Sequence, residues 1–272
     1  MRENPGGIIE KAVSAGTVGD VVSFTKDRGI SRVYFGHEFC HHLLPDGDQL
    51  MEVMEICVKS RIPFTLTTSV LPPGGMERFQ KLAEILDKKA SGNQEILVGD
   101  WGALWYLHKK YPRRFQIVLG RLLARQRTGP RIELIKNKSP RQYESARRCH
   151  LNVEAFIMEM KAMGVVRFEL DWPTAGIHRD FLKSIRCHVP LSVHTPWVYV
   201  STTLRCPMTG PDGCRCGEAV HRLRSKSFPV DLYNRGNTLF YRSTGTREAL
   251  DTGFFDRLVV DHQDISIIMD LD

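Results

Sequence analysis

The stretch that decides the fold reads RVYFG at residues 32–36, LMEVMEIC at residues 50–57 and PFTLTTSV at residues 63–70. The outer two segments are short apolar runs of the kind that form buried strands. The middle segment predicts an amphipathic helix, because Leu50, Met54 and Cys57 recur at helical spacing on one face. A strand, a helix and a second strand in this order are typical of a parallel βαβ unit.

The same alternation of strands and helices continues along the chain. Further strands are predicted at 95–99, 115–119, 165–170 and 190–194, and further helices at 76–89, 101–111, 153–163 and 178–185. About six such units before residue 200 favour an α/β fold of (β/α) barrel-like type, complete or incomplete, over separate domains. Because no Gly-rich dinucleotide fingerprint follows a strand, a Rossmann cofactor site is disfavoured.

The amino-acid composition of the chain changes after residue 200. Cysteine, proline and glycine dominate to about residue 217, and short strands are predicted at 230–233, 238–241 and 257–261. Residues 234–237 separate the first two of these strands and predict a hairpin. We therefore expect one domain over residues 1–272, within which residues 200–272 form a cysteine loop and a short β-rich cap over one end of the barrel.

Composition narrows the class of protein. The chain has 272 residues, 42% hydrophobic and 25% charged, with a net charge of +7, and this is ordinary globular composition. No apolar run is long enough for a membrane span, and the polar first residues lack a signal-peptide core, so a cytoplasmic location is expected. The basic balance permits an anionic ligand or RNA as a partner, although a solvated basic face gives the same composition.

Three of the seven cysteines, Cys206, Cys214 and Cys216, fall within eleven residues in a Pro/Gly-rich segment. Cys40 follows the strand 32–36, and Cys206 follows the strand-like run 197–201, so both are expected at the end of the barrel where strands terminate. Four thiolates suit a [4Fe-4S] cluster or a tetrahedral zinc ion. The spacing alone leaves iron–sulfur, zinc and metal-free thiols open, because the chain contains no C-x-x-C pair.

The other cysteines, Cys57, Cys149 and Cys187, are expected to be core or exposed thiols rather than ligands. Charged and aromatic side chains also follow the predicted strands. Among them Arg121 and Arg125 can hold an anion in bidentate fashion, and His194 ends a strand, so these three are the candidate substrate-binding residues. The remaining rim candidates are His37, His41, His42, Asp100, Trp101, Arg127, Glu169, Asp171, Trp172, His188 and Trp197. No hydrolase motif is visible, so no catalytic residue is assigned.

Three segments resemble a known family. Residues 32–40 are similar to the VYLGE..C segment, and residues 190–206 to the PLA.S.RC stretch, of the collagenase-like peptidase family (the U-thirty-two peptidases) in its short UbiU/UbiV branch. Cys214 and Cys216, followed by the strands 230–233 and 237–241, resemble the branch's cysteine pair and the strands after it. The resemblance covers roughly residues 30 to 245. One residue separates Cys214 from Cys216, whereas the UbiV pair is spaced C-x3-C.

The resemblance implies a barrel-like fold and a [4Fe-4S] cluster held by Cys40, Cys206, Cys214 and Cys216. UbiU and UbiV act as a heterodimer in oxygen-independent hydroxylation during ubiquinone biosynthesis, and related members hydroxylate RNA bases, with prephenate implicated as the oxygen source. This chain would then be an iron–sulfur subunit resembling UbiV, paired with a related family member and acting on a small molecule or quinone precursor. The alternative is a zinc-stabilised scaffold that binds RNA or a protein without catalysis.

Overall fold

Eight parallel strands close into a barrel in the computed structural model, which describes residues 9–27, 29–178, 189–206, 208–210, 213–214 and 220–269. In chain order the strands are β1 Glu10–Ala15, β2 Arg32–Gly36, β3 Phe64–Thr67, β4 Glu95–Val98, β5 Gln116–Leu119, β6 Val165–Asp171, β7 Leu191–Thr195, β8 Trp197–Thr202, β9 Thr209–Gly210, β10 Gly213–Cys214, β11 Val220–Leu223, β12 Leu232–Arg235, β13 Thr238–Arg242 and β14 Arg257–Asp261. Strands β1 to β7 and β14 form the barrel, so the predicted (β/α) barrel is confirmed and it is complete.

Helices surround the barrel and supply the outer half of its core. They are α1 Val18–Phe24, α2 Gly47–Ser60, α3 Pro73–Lys89, α4 Trp101–Lys110, α5 Arg121–Ala124, α6 Pro140–Ala146, α7 Glu154–Ala162, α8 Thr246–Asp251 and α9 Ser266–Met269, with 3-10 helices at His41–Leu43, Pro130–Ile135, His150–Asn152 and His262–Asp264. The predicted helix 178–185 falls almost wholly on residues outside the described ranges. In the part of the chain that is described, no helix has the length and apolar character needed to cross a bilayer.

Local sequence sets the helix boundaries. Helix α2 begins with a capping box, in which the Asp46 side chain accepts from the backbone N–H of Gln49 and the Gln49 side chain accepts from that of Asp46. Its buried face consists of Leu50, Val53 and Cys57. The predicted face included Met54, which packs against the core but is only partly buried.

Two barrel strands differ from the sequence-based expectation. Strand β1, with the sequence EKAVSA, was not predicted, because its short apolar run is interrupted by charged and small residues. Strand β14 was expected in the cap, but it pairs in parallel with both β1 and β7 and completes the barrel wall. A fully buried parallel strand is short and apolar wherever it lies in a sheet. Its sequence therefore does not show which strands it pairs with.

Four of the remaining strands form an antiparallel sheet in the order β11-β12-β13-β8, and β9 and β10 form a separate two-stranded sheet. Strand β8 follows directly on β7 through a cis peptide bond between Thr195 and Pro196. The predicted hairpin is present, with a turn at Gly236 and Asn237 and a positive φ of 60° at Gly236. The Asn237 amide donates to the carbonyl oxygens of Phe39 (2.7 Å) and Thr203 (2.8 Å), which fastens the tail sheet to the loop after β2.

The amino-terminal end of the barrel is filled by a buried ionic network. The Arg257 guanidinium donates to Glu95 at 2.7 and 3.1 Å and to Glu10 at 2.6 Å, while Arg32 donates to Glu10 at 2.6 Å. Above this floor lies an apolar layer of inward-facing side chains from five strands: Ala12, Tyr34, Leu97, Val118 and Val259. The interior of the barrel therefore becomes a cavity toward the carboxyl ends of the strands, where active sites of this architecture lie.

Candidate functional site

A cavity of about 430 Å³ lies at the carboxyl end of the barrel. The loops after β1, β2, β7 and β14 form its wall, and the tail sheet covers one side. Cys40 and Cys206 both line this cavity although 166 positions separate them in the sequence. The structure thus brings two of the four predicted thiol ligands to one place.

The loop after β2 is shaped by His37. Its Nδ1 accepts two backbone hydrogen bonds, from the N–H of Phe39 at 3.2 Å and from the N–H of Cys40 at 3.0 Å. Burial and the nearby positive charge of Arg235 lower the pKa of His37 to about 4. At neutral pH the ring is therefore uncharged, which is the state in which Nδ1 can accept, and it fixes the backbone that carries Cys40.

The pairing of β9 with β10 brings the backbone of Cys214 close to the segment that follows Cys206. The N–H of Thr209 donates to the Cys206 carbonyl at 3.1 Å, and β9 pairs with β10 so that Cys214 lies opposite Thr209. The N–H of Met208 donates to the Cys206 sulfur at 3.4 Å, the kind of contact that tunes metal-bound thiolates. The side chain of Cys214 and all of Cys216 lie outside the described residues.

The donor chemistry at this corner fits a thiophilic metal. Two thiols face one cavity, one of them already accepts an N–H hydrogen bond, and soft thiolates select iron–sulfur clusters or zinc. Within the described ranges, which leave out Cys216 and the Cys214 side chain, no three His, Cys, Asp or Glu residues converge on one point. Cys57 and Cys149 are buried in the core outside the barrel, as predicted, and burial raises their pKa values to about 11 and about 12. Cys187 lies outside the described residues.

Arg121 is buried at the start of α5 and is held by two carboxylates. Its guanidinium donates to Glu38 at 2.6 and 2.8 Å and to Asp171 at 2.7 Å, and its backbone N–H donates to Glu38 at 2.9 Å. Burial opposes its charge, but the two carboxylates outweigh burial and raise the pKa of Arg121. Burial raises the pKa of Asp171, and Arg121 offsets only part of that effect. The predicted anion-binding Arg121 therefore joins the loops after β2, β5 and β6, while Arg125 is exposed and lies outside the cavity lining.

His194 lines the cavity, and its Nε2 lies within hydrogen-bonding distance of one carboxylate oxygen of Glu169. The other oxygen of Glu169 accepts from the Tyr34 hydroxyl at 2.7 Å, and Arg257 donates to the Tyr34 oxygen at 2.7 Å. Burial alone would raise the pKa of Glu169, but the contact with His194, the charge of Arg257 and the hydrogen bond from Tyr34 outweigh it and lower this pKa to about 2. Glu169 is therefore a fully buried carboxylate that stays ionised.

The ionised Glu169 predicts a loss of stability in acid. Its folded-state pKa of about 2 lies below the ordinary value of 4.5, so the unfolded state binds more protons between these pH values. We expect the free energy of unfolding to fall as pH drops from about 4.5 toward about 2, by on the order of 3 kcal/mol from this group. Urea unfolding at several pH values measures the slope, and Glu169→Gln should flatten it. An equal slope in that variant would contradict the assignment.

The other predicted rim residues have varied environments. Asp100 caps α4 by accepting from the N–H groups of Gly102 (2.7 Å) and Ala103 (3.1 Å). Trp197 lines the cavity and donates from Nε1 to Asp264, whereas Trp172 is buried outside the lining. His41 and His42 lie ring to ring with centroids 4.0 Å apart. Glu38, Thr67, Arg235 and Asp261 line the cavity and were missed. Glu38 and Asp261 carried a sequence signal, because Glu38 lies just beyond a predicted strand and Asp261 ends another.

The comparisons with known proteins support the fold. A scan against protein-family models finds no match, and a search of curated proteins finds none either. Among solved structures, the U32 peptidase Mk0906 aligns with a TM-score of 0.50 and 11% identity over 96% of this chain and 95% of that chain. At this identity the similarity establishes a shared fold and nothing about activity.

Two further structures align less well. The Bacillus cereus spore cortex-lytic enzyme SleL has a TM-score of 0.45 and 6% identity over 99% of this chain and 76% of that chain. The chitinase-like agglutinin RobpsCRA from Robinia pseudoacacia has a TM-score of 0.31 and 10% identity over 93% and 94% of the two chains.

Proposed function

We propose that this chain is an iron–sulfur protein of the U-thirty-two family that works in oxygen-independent hydroxylation. The observation that carries the proposal is the meeting of Cys40 and Cys206 at one cavity from opposite ends of the barrel sequence. Cys214 and Cys216 complete the proposed ligand set of a [4Fe-4S] cluster. The fold shared with the U32 peptidase Mk0906 and the three segments that resemble the UbiU/UbiV branch support the same family.

The surroundings of the thiols suit a cluster. The pairing of β10 with β9 places the backbone of Cys214 opposite Thr209, three residues after Cys206, and the tail sheet is fastened over Cys40 through Asn237. When bound, a [4Fe-4S] cluster supplies one-electron transfer next to the barrel cavity, where a small molecule or quinone precursor would bind.

A second candidate function rests on the distribution of charge. Residues 121–148 contain nine basic and two acidic residues, a net charge of +7 that equals the net charge of the whole chain. Seven of these basic residues are exposed: Arg125, Arg127, Arg131, Lys136, Lys138, Arg141 and Arg148. The segment borders a groove of about 480 Å³ that also contains Tyr199. A concentrated basic surface beside a groove favours binding of RNA or of an acidic partner, as in the scaffold function, and it does not distinguish zinc from iron.

Metal analysis of anaerobically purified protein tests the proposal. We expect a brown protein with broad absorbance near ~400 nm and about four irons per chain. Cys206→Ala and Cys40→Ala should each lose most of the iron, because each removes one of four ligands. Cys57→Ala is the matched control, since Cys57 is buried on α2 in the core outside the barrel, and it should retain the wild-type iron content.

Each other outcome has a defined meaning. A colourless, iron-free protein after anaerobic preparation would contradict the cluster. Stoichiometric zinc without iron, together with RNA binding that weakens steeply with salt, would favour the scaffold function. Equal iron loss in Cys57→Ala and Cys206→Ala would show that the loss reflects unfolding rather than the removal of a ligand.

A further inference from the structure

We infer that His194 and Glu169 form a general acid–base dyad that acts on a neutral, hydroxyl-bearing small molecule inside the barrel. The inference goes beyond the proposed cluster, because the dyad lies on β6 and β7 and includes none of the thiols. It stands on three independent features of the cavity: the orientation of the His194 ring, an unpaired hydroxyl, and the balance of charge in the wall.

The orientation of the His194 ring is fixed by Glu169, on the side of the ring away from the cavity. Nε2 is paired with one oxygen of Glu169, and the other oxygen of Glu169 accepts from Tyr34 at 2.7 Å, so the carboxylate is held at both ends. This contact places the ring proton on Nε2, which leaves Nδ1 as an acceptor. In the described part of the chain no group hydrogen-bonds to Nδ1, and His194 lines the cavity. Nδ1 is thus the ring nitrogen that faces a bound molecule.

Thr67 supplies the second feature. It ends β3, lines the same cavity and is only 5% exposed, yet its Oγ1 has no hydrogen-bond partner among the described residues. An unsatisfied buried hydroxyl costs about 1–3 kcal/mol. A polar atom of a bound molecule would remove that cost, so the position of Oγ1 indicates where a ligand places a hydrogen-bonding group.

The charges of the wall indicate a neutral ligand. Arg121 is neutralised by Glu38 and Asp171, and Arg235 donates to Asp261 at 3.0 and 3.3 Å. Asp20 adds a further carboxylate to the lining. Because every arginine in the lining already has a carboxylate partner, an anionic ligand would meet net negative charge in a poorly solvated space, which is unfavourable.

The chemical step is a reversible proton transfer. The ligand O–H bond breaks and its electron pair stays on oxygen, while an N–H bond forms at Nδ1. The neutral ring and neutral ligand become an imidazolium and an oxyanion, so charge is conserved. The Glu169 carboxylate stabilises the imidazolium, and the Thr67 hydroxyl donates to the oxyanion.

Histidine modification by diethyl pyrocarbonate, mapped by peptide mass spectrometry on the full chain, tests the dyad without knowledge of the natural substrate. Benzyl alcohol and benzoate are the probes, matched in size and different in charge. We expect His194 to react, and benzyl alcohol at ten times its dissociation constant to slow that reaction about tenfold. Benzoate at the same concentration should slow it less than about twofold. His108 on α4, outside the cavity lining, is the internal control and should react equally throughout.

Two variants separate the roles. Thr67→Val should remove the protection by benzyl alcohol and leave the rate of His194 modification without benzyl alcohol unchanged. Thr67→Ser, which retains the hydroxyl, should retain the wild-type protection and the wild-type rate. Glu169 is the positioning residue, and Glu169→Gln should lower the rate of His194 modification relative to that of His108, because the carboxylate that accepts from Nε2 and holds the ring is gone. Glu169→Asp should restore part of that rate.

Three results would overturn the inference. The first is a His194 that stays unmodified from about pH 6 to about pH 8 while His108 reacts, since the ring would then be closed off from the cavity. The second is protection by benzoate equal to that by benzyl alcohol. The third is an unchanged ratio of the His194 and His108 modification rates in Glu169→Gln. All three results are measured as rates of histidine modification, whereas the proposed cluster is tested by iron content. Failure of the dyad can therefore be distinguished from failure of the cluster.

Discussion

Arg121→Met is expected to lower the free energy of unfolding by about 3–5 kcal/mol, measured by urea denaturation at neutral pH. Arg121 is 7% exposed, and its guanidinium is the shared partner of Glu38 and Asp171, which are 6% and 0% exposed. Its removal leaves two carboxylates close together in the interior, where an unpaired charge is costly. The same change at Arg125, four residues later and exposed, should cost less than about 0.5 kcal/mol.

A triple variant shows whether the cost is electrostatic. Glu38→Gln and Asp171→Asn, added to Arg121→Met, remove both buried charges and should recover part of the lost stability. If the triple variant is no more stable than Arg121→Met alone, the arginine contributes through packing over Phe39, where its guanidinium carbon lies 4.9 Å from the ring centroid.

Gly36→Ala is expected to be as damaging, at about 3–5 kcal/mol, because a strained backbone and a steric clash add together. Gly36 has a φ of +116°, and an added Cβ would lie 2.4 Å from the carbonyl oxygen of Thr67. The clash is with backbone, so relief requires β2 and β3 to separate where their pairing ends. His37 and Cys40 follow immediately, so iron content should fall together with stability.

Gly74→Ala is the control for this change. Gly74 lies in the first turn of α3, an added Cβ would meet nothing within 4 Å, and its φ is not positive. The variant should be neutral or up to about 1 kcal/mol more stable. A Gly36→Ala protein as stable as Gly74→Ala would contradict the clash.

Much of the barrel could be predicted from sequence because its strands are short, apolar and bounded by clear helices. The predicted strands at 32–36, 95–99 and 165–170 agree with β2, β4 and β6 to within one residue. Strand β1 escaped because its sequence lacks a distinctive period, and the place of β14 depends on which edge remains open when seven strands are already paired. That is a property of the closed barrel rather than of residues 257–261.

The candidate site was predicted less completely than the fold. Cys40 and Cys206 could be placed together because both follow strand-like segments, and a barrel collects such positions at one end. The engagement of Arg121 could not be foreseen, because Glu38 and Asp171 reach it across 83 and 50 positions of sequence. Thr67 looked like an ordinary strand residue, and only its buried, unpartnered hydroxyl marks it out.

The pairing of β1 with β14 changes how the cysteine tail should be regarded. Residues 196–256 connect β7 to β14, which are neighbouring strands of the barrel. The cysteine tail is therefore an insertion between two barrel strands and not a C-terminal extension of the barrel. A chain cut after residue 200 would be a seven-stranded open sheet with two bare edges, prone to pair with other chains. The loop that carries three of the proposed ligands therefore cannot be removed by truncating the chain without also removing β14 and opening the barrel.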